Sequence, residues 1–338
     1  LDRKPRITSH EVAALAGVSR SAVSRTFTPG ASVSAKTKAK VMEAASLLGY
    51  RPNALARSLI VQRTNLIGLV MVEWENPFYT AMLRQFSERF QAEGFQLMLL
   101  TSYSEADVDE AVRQLLQYQV DGMLVVSAKP SPELTAECRR SETPLVLINR
   151  HAAGRPASSV TCDNAQVGRD IVQLLVKAGY QHFAMLRGDP MVRAGLERTR
   201  AIESMVAGSK TASIVANVTG CLGYEAGRRE IARLWQQPVR PDAVICSSDP
   251  TALGVLDGAR YDLGIKIADE LAVVGVGDVP QASWGAYRLT TVHLPIDEMI
   301  DLAVRDLLDH LEDPDLPVQP LQVKGRIIER DTVRPAQP

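Results

Sequence analysis

Two hydrophobic rhythms divide the chain. Up to about residue 60, apolar residues recur three or four positions apart. Val12, Ala13, Leu15 and Ala16 form one such set, Val18 and Val23 a second, and Val41, Ala44, Ala45 and Leu48 a third. That spacing predicts three short amphipathic helices. From Leu66 onward, short apolar runs alternate with amphipathic stretches. Strands are predicted at Leu66–Val72, Phe95–Leu100, Gly122–Val126, Leu145–Ile148, Phe183–Leu186, Ser213–Val218, Ala243–Cys246 and Ala272–Val276. Helices are predicted between them, with a last one at Ile296–Leu311. Strands that alternate with helices give doubly wound parallel sheets, and two such sets imply two lobes.

The punctuation of the first helices is specific. Thr8 caps the first helix and Glu11 reaches back to the cap amide, a capping box. Gly17 stands where a tight turn needs positive φ, and Ser19 caps a second helix running from Arg20 to about Phe27. Ser34 caps a third helix, which Gly49 ends. This is a helix-turn-helix pattern, whose second helix meets base edges with its N-terminal residues. Arg pairs bidentately with guanine and Ser donates or accepts. Thr8, Ser19, Arg20, Ser21, Ser24 and Arg25 are the candidate contacts to double-stranded DNA. The bland alternative is a small helical hairpin with solvated arginines.

After the third helix comes Tyr50-Arg-Pro-Asn-Ala-Leu-Ala-Arg-Ser-Leu59. Pro52 suits a helix start, but a helix this short is marginal alone. With this segment the N-terminal run resembles the headpiece and hinge of the lac repressor (LacI/GalR) family. The shared patterns are A-x-x-A-G-V-S-x-x-x-V-S-R, from Ala13 to Arg25, and Y-x-P-N-x-x-A-R-S-L, from Tyr50 to Leu59. The resemblance implies a hinge helix that folds on the operator and inserts Leu59, beside Ala56 and after Asn53, into the minor groove as a wedge. Thr26 departs from the aliphatic residue usual in that family.

Charge sharpens this picture. Residues 1–65 carry 11 Lys and Arg against 3 Asp and Glu, while the remainder carries 27 against 36. A basic small unit joined to an acidic large one suits a polyanion held at one end. The four cysteines are far apart and read as small buried hydrophobes of a reducing compartment. The polar, basic start has no signal-peptide pattern, and no apolar run reaches the roughly 20 residues of a membrane span. The expected compartment is the cytoplasm. No P-loop, G-x-S-x-G, G-x-G-x-x-G or His-Glu-x-x-His pattern occurs, so no enzyme, cofactor or metal site is expected.

The same resemblance extends over the α/β part. It implies an all-α helix-turn-helix headpiece (1–50), a hinge and linker (51–65), and an α/β effector module (66–338). That module is two-lobed and similar to periplasmic sugar-binding proteins. Its N-lobe is expected at about 66–160 and 293–320, and its C-lobe at about 162–290 and 321–338. Ligands of such sheets bind beyond the carboxyl ends of the strands. Near such ends, Asn76, Phe78, Arg150, Arg198 and Asp249 match positions of the family, and Trp284 lies near the predicted cleft; the resemblance thus implies these six as the candidate effector-binding residues. Arg198 matches the Arg of the family's R-x-x-G-F motif, though Ala201 and Ile202 replace its last two residues. The family's G-F-D-D reads Gly275-Val-Gly-Asp278, so Gly277 stands where an Asp often contacts ligand. Arg150, Arg187, Arg193 and Arg198 near one cleft favour a sugar acid or sugar phosphate over a neutral sugar. The implied protein is a homodimeric repressor. It reads a near-palindromic operator and is controlled by a small-molecule effector; the rival is a sugar receptor without DNA function. The polar tail lacks the leucine heptads of a tetramer.

Overall fold

The computed structural model describes residues 7–28, 30–51, 63–72, 76–102, 107–150, 157–188 and 193–336. It divides into two units, 1–64 and 65–338, each built around its own core.

The first unit has three helices: α1 (Ser9–Ala16), α2 (Arg20–Thr26) and α3 (Ala35–Leu48). Thr8 and Glu11 close the capping box: the Glu11 carboxylate accepts from the Thr8 amide at 2.6 Å and from its hydroxyl at 2.9 Å. Gly17 ends α1 at φ 65°, which lets the Val18 amide donate back to Ala13 O. Val12, Ala13, Ala16, Val23, Val41 and Ala44 form the core, with Phe27 and Tyr50 in tilted contact at its margin. Thr26 is half-buried and its hydroxyl donates to Ala22 O at 2.8 Å. The departure from an aliphatic residue therefore leaves no unpaired hydroxyl.

The second unit holds two six-stranded sheets. The first runs β11-β5-β4-β3-β1-β2, all parallel. Its members are β1 (Leu66–Val72), β2 (Gln96–Ser102), β3 (Gly122–Val126), β4 (Leu145–Ile148), β5 (Ser158–Cys162) and β11 (Pro320–Val323). The second runs β12-β10-β9-β8-β6-β7, from β6 (His182–Leu186), β7 (Ser213–Val218), β8 (Ala243–Cys246), β9 (Ala272–Val276), β10 (Thr290–His293) and β12 (Arg326–Ile328). Only β12 is antiparallel to its neighbour. Strands β1, β3, β4, β8 and β9 are buried almost throughout, as unbroken Val/Ile/Leu runs require when helices cover both faces.

Helices α4 (Pro77–Ala92), α5 (Val108–Gln117) and α6 (Pro132–Arg140) belong to the first sheet. So does α11 (Ile296–Glu312), although it lies far along the chain. On α4, Met82, Phe86 and Phe90 repeat every four residues and are fully buried, each worth roughly 1.5–3 kcal/mol. The second sheet carries α7 (Asn164–Lys177), α8 (Arg193–Ala207), α9 (Gly223–Leu234) and α10 (Asp249–Asp257).

The chain passes between the sheets three times, after Cys162, His293 and Val323. The Asp163 amide donates to Val323 O and ties the first crossing to the third. The third crossing falls a few residues later than the expected 320/321 boundary, because Pro320–Val323 pairs with β5 before the chain leaves. The short strands β5, β10, β11 and β12 escape a periodicity reading: two are only four residues long and one is three.

Candidate functional site

The carboxyl ends of β4, β5, β6, β8 and β9 converge on one cavity between the lobes, of about 100 Å³. Phe78 and Tyr79, at the start of α4, form part of its wall, in edge-to-face contact at 5.1 Å. Pro77 opens that helix and Asn76 caps it, its Oδ1 accepting from the Phe78 amide at 3.1 Å. Asn76 also lines the cavity.

Opposite them stands Arg198, on α8 and more than nine-tenths buried. Its Nη1 donates to Asn164 Oδ1 at 3.4 Å and its Nη2 to Ser247 O at 3.3 Å. Both bonds are long, both acceptors are neutral, and Arg198 forms no ion pair among the described residues. Burial pushes its pKa below the ordinary guanidinium value, against the pull of nearby Cys162 and Tyr79. A guanidinium stays protonated in proteins, so the cavity holds a poorly compensated cation. No carboxylate is among its described lining residues.

Asp163 and Asn164 divide their labour. Asp163 caps α7, accepting from the Gln166 amide, while Asn164 is buried and orients Arg198. Ser247 and Ser248 also reach the cavity, as do Asn149 and Gly277. Asp249, the residue expected at this strand end, is the next one along.

Three candidate residues lie elsewhere. Asp249 is fully buried behind the cavity: its Oδ2 accepts from the Val279 amide at 2.8 Å and its Oδ1 from the Thr291 hydroxyl. Burial pushes its carboxyl pKa up to about 6. Gly275 faces it so closely that a Cβ would strike Asp249 Oδ1. This carboxylate is an internal tie between α10, the loop after β9 and β10. Arg150 is buried too, but its Nε donates to Ser127 O at 3.1 Å and it is outside the cavity lining. Trp284 is 54% exposed and also outside that lining. Of the four arginines expected at one cleft, Arg198 is the one whose described side chain lines this cavity, while Arg187 joins Arg198 in a smaller adjoining one of about 30 Å³. Arg187 donates to Asn217, and the Arg193 side chain lies outside the described residues. Asp278 does not replace the Asp missing at Gly277, since its carboxylate is held by Arg330 at 2.7 Å and His293 at 3.0 Å.

In the first unit, Arg20, Ser21, Ser24 and Arg25 are all exposed along one side of α2, while Ala22 and Val23 are buried on the other. Ser19 caps the helix, accepting from the Ala22 amide at 3.2 Å. Thr8 occupies the equivalent place on α1. Asn53, Ala56 and Leu59 lie outside the described residues. Among the described residues no group of three His, Cys, Asp or Glu side chains comes together, and no helix is long and apolar enough to cross a membrane.

A helix-turn-helix unit followed by a two-lobed α/β module with an interlobe cavity defines the class: a DNA-binding unit carried by a ligand-binding one. Residues 8–53 match the lacI family of bacterial regulatory proteins, and residues 172–333 match the periplasmic binding protein-like domain. The ribose operon repressor of Escherichia coli (strain K12) is 32% identical over 335 residues, covering 96% of this chain and 98% of that protein. Catabolite control protein A of Priestia megaterium is 27% identical, covering 97% and 99%. Among solved structures, a lac repressor dimer bound to operator and the anti-inducer ONPF superposes with a TM-score of 0.85 at 21% identity. It covers 97% of this chain and 99% of that one, a likeness of fold. The chain belongs to the lacI family of bacterial regulatory proteins.

Proposed function

We propose that this protein is a sequence-specific DNA-binding transcription regulator, a repressor, whose operator affinity is set by a small molecule held between the lobes. The observation that carries this reading is the poorly compensated Arg198 guanidinium, buried in the interlobe cavity of a chain that begins with a helix-turn-helix unit. Arg20 and Ser21 read base edges at the start of α2, with Ser24 and Arg25 one turn on. Thr8 and Ser19 set the two helix starts against the DNA backbone. By family resemblance Asn53, Ala56 and Leu59 form the hinge that kinks the operator. Effector binding shifts the lobes and so the pairing of two hinges, a linkage through differential affinity.

The effector we infer is a hydroxylated anion, a sugar acid or sugar phosphate. Arg198 supplies the cation, Asn76, Asn149, Asn164 and Ser248 supply polar contacts, and Phe78 with Tyr79 supplies an aromatic wall. Gly277 removes the carboxylate that a neutral polyol would use. Since one relative is named a ribose operon repressor, ribose and ribose phosphate are the first pair to compare. Calorimetry decides between them: tight binding of ribose with the phosphate ignored would sink the anionic reading. A gel shift with near-palindromic fragments tests the DNA function, and failure to separate specific from scrambled duplex would refute it.

The working form is a homodimer in the cytoplasm, where the DNA is. The edge strand β2 leaves Leu97, Met98, Leu99 and Leu100 partly exposed, and the second lobe exposes Tyr261 and Trp284. Apolar surfaces of this kind suit a second copy. Sedimentation showing a stable monomer or tetramer would overturn the dimer.

A further inference from the structure

The cap hydroxyls of α1 and α2 differ in what they have left to give. Thr8 Oγ1 accepts from the His10 amide at 3.3 Å and spends its hydrogen on the Glu11 carboxylate at 2.9 Å. Ser19 is built differently. Its Oγ accepts from the Ala22 amide at 3.2 Å and lies 2.9 Å from Oγ of Ser21, two residues on and equally exposed. A hydroxyl carries one hydrogen and two lone pairs. One of the two serine hydrogens fills the gap between the oxygens, so the pair offers one hydrogen outward instead of two.

Which serine keeps that hydrogen depends on what faces the pair. A phosphate oxygen has lone pairs and no hydrogen, and contacts to phosphate fix the register of a protein on duplex DNA. Ser19 is the cap hydroxyl with a hydrogen still to give. Once it donates to phosphate, its two lone pairs are taken by the Ala22 amide and the Ser21 hydroxyl. Ser21 Oγ then turns only lone pairs to the groove. In the major groove cytosine N4 and adenine N6 are donors, while guanine O6 and N7, adenine N7 and thymine O4 are acceptors.

We propose that Ser19 is a specificity-determining positioning residue: it takes the hydrogen of Ser21, so that Ser21 reads the exocyclic amino group of a cytosine or an adenine. The inference rests on the reading of α2 as the base-contacting helix. It gives that face an acceptor beside Arg20 and Arg25, whose guanidinium groups can only donate.

Affinity selection with the full-length protein tests this, from a duplex library of two inverted half-sites with randomised bases. The base pair whose preference relaxes in Ser21→Ala is the one that Ser21 reads. On the enriched duplex, Ser21→Ala should raise Kd about threefold to tenfold, the weight of one hydrogen bond. That cost should vanish when the amino group of the pair is deleted, with 2-pyrimidinone for cytosine or purine for adenine. It should persist when N7 is removed with a 7-deazapurine. Ser19→Gly, a change that helix caps tolerate well, returns the hydrogen to Ser21. The cost of the amino deletion should then fall and the selected base widen, while Ser19→Thr, which keeps the hydroxyl, should behave as wild type. A weakened cap lowers affinity but does not change which atom of the base is coupled to Ser21. No base preference relaxed in Ser21→Ala, a Ser21→Ala cost that survives amino deletion, or wild-type base preference in Ser19→Gly would each overturn this inference alone. A selection that enriches no duplex would sink the DNA-binding reading together with it.

Discussion

Asp249→Asn is the most informative substitution behind the interlobe cavity. The wild-type carboxylate is fully buried, accepts from the Val279 amide and the Thr291 hydroxyl, and has a pKa pushed up to about 6 from the ordinary 3.8. That rise corresponds to roughly 3 kcal/mol. Because the folded-state pKa is the higher one, folding takes up a proton between the two values. The favourable contribution is full below about pH 4 and is lost as pH rises through about 6. Asparagine keeps the geometry: its oxygen accepts from Val279 and its NH₂ donates to Thr291 Oγ1, with no charge to bury. The variant should therefore gain on wild type as pH rises. Of the ~3 kcal/mol, about 1.4 kcal/mol appears between pH 5 and 8. Urea unfolding of both proteins at several pH values, with other titrations cancelling in the difference, measures it. A difference independent of pH, or one growing towards acid, would refute the reasoning.

Gly275→Ala pushes a methyl against the same fixed carboxylate and should destabilise by about 1–3 kcal/mol in denaturant titrations, the usual cost of overpacking. Replacing Arg198 by Met should abolish calorimetric binding of the anionic effector while ligand-free operator affinity stays at the wild-type value. Arg20→Ala should cost about 1–3 kcal/mol at one or two base pairs per half-site and spare non-specific duplex; an unchanged ratio of specific to scrambled binding would remove Arg20 from base readout. Leu59→Ala should reduce operator bending, measured by circular-permutation gel shift, without altering effector binding.

The headpiece was legible because its determinants are local. A capping box, a positive-φ glycine and a buried-exposed division over seven residues are each complete within a turn or two. Tertiary packing adds little to where Arg20 or Ser19 must lie. The alternation of strands and helices was legible for the same reason: burial on both faces writes itself as apolar runs. The interlobe site was legible only in part. Asn76, Phe78 and Arg198 line the cavity, and each stands at or near a strand's carboxyl end or a helix start. Asp249 met the same sequence criterion, yet it is turned inward.

What decided that difference is the approach of other segments. Asp249 is captured by Val279 and Thr291, 30 and 42 positions away, and Gly275 leaves it just enough room. Asn164, one residue from a helix cap, faces the cavity because Arg198 on another helix meets it there. Arg150 is taken by the Ser127 carbonyl, just past the end of the neighbouring strand β3. The edge strands β11 and β12 are too short to show a period and exist only because β5 and β10 offer them partners. Near neighbours and average burial thus fix the helices, their caps and the longer strands before any distant contact forms. Which polar side chains face the cavity and which are spent inside depends on the fold, because a buried polar group goes to whatever partner the folded chain brings within hydrogen-bond reach.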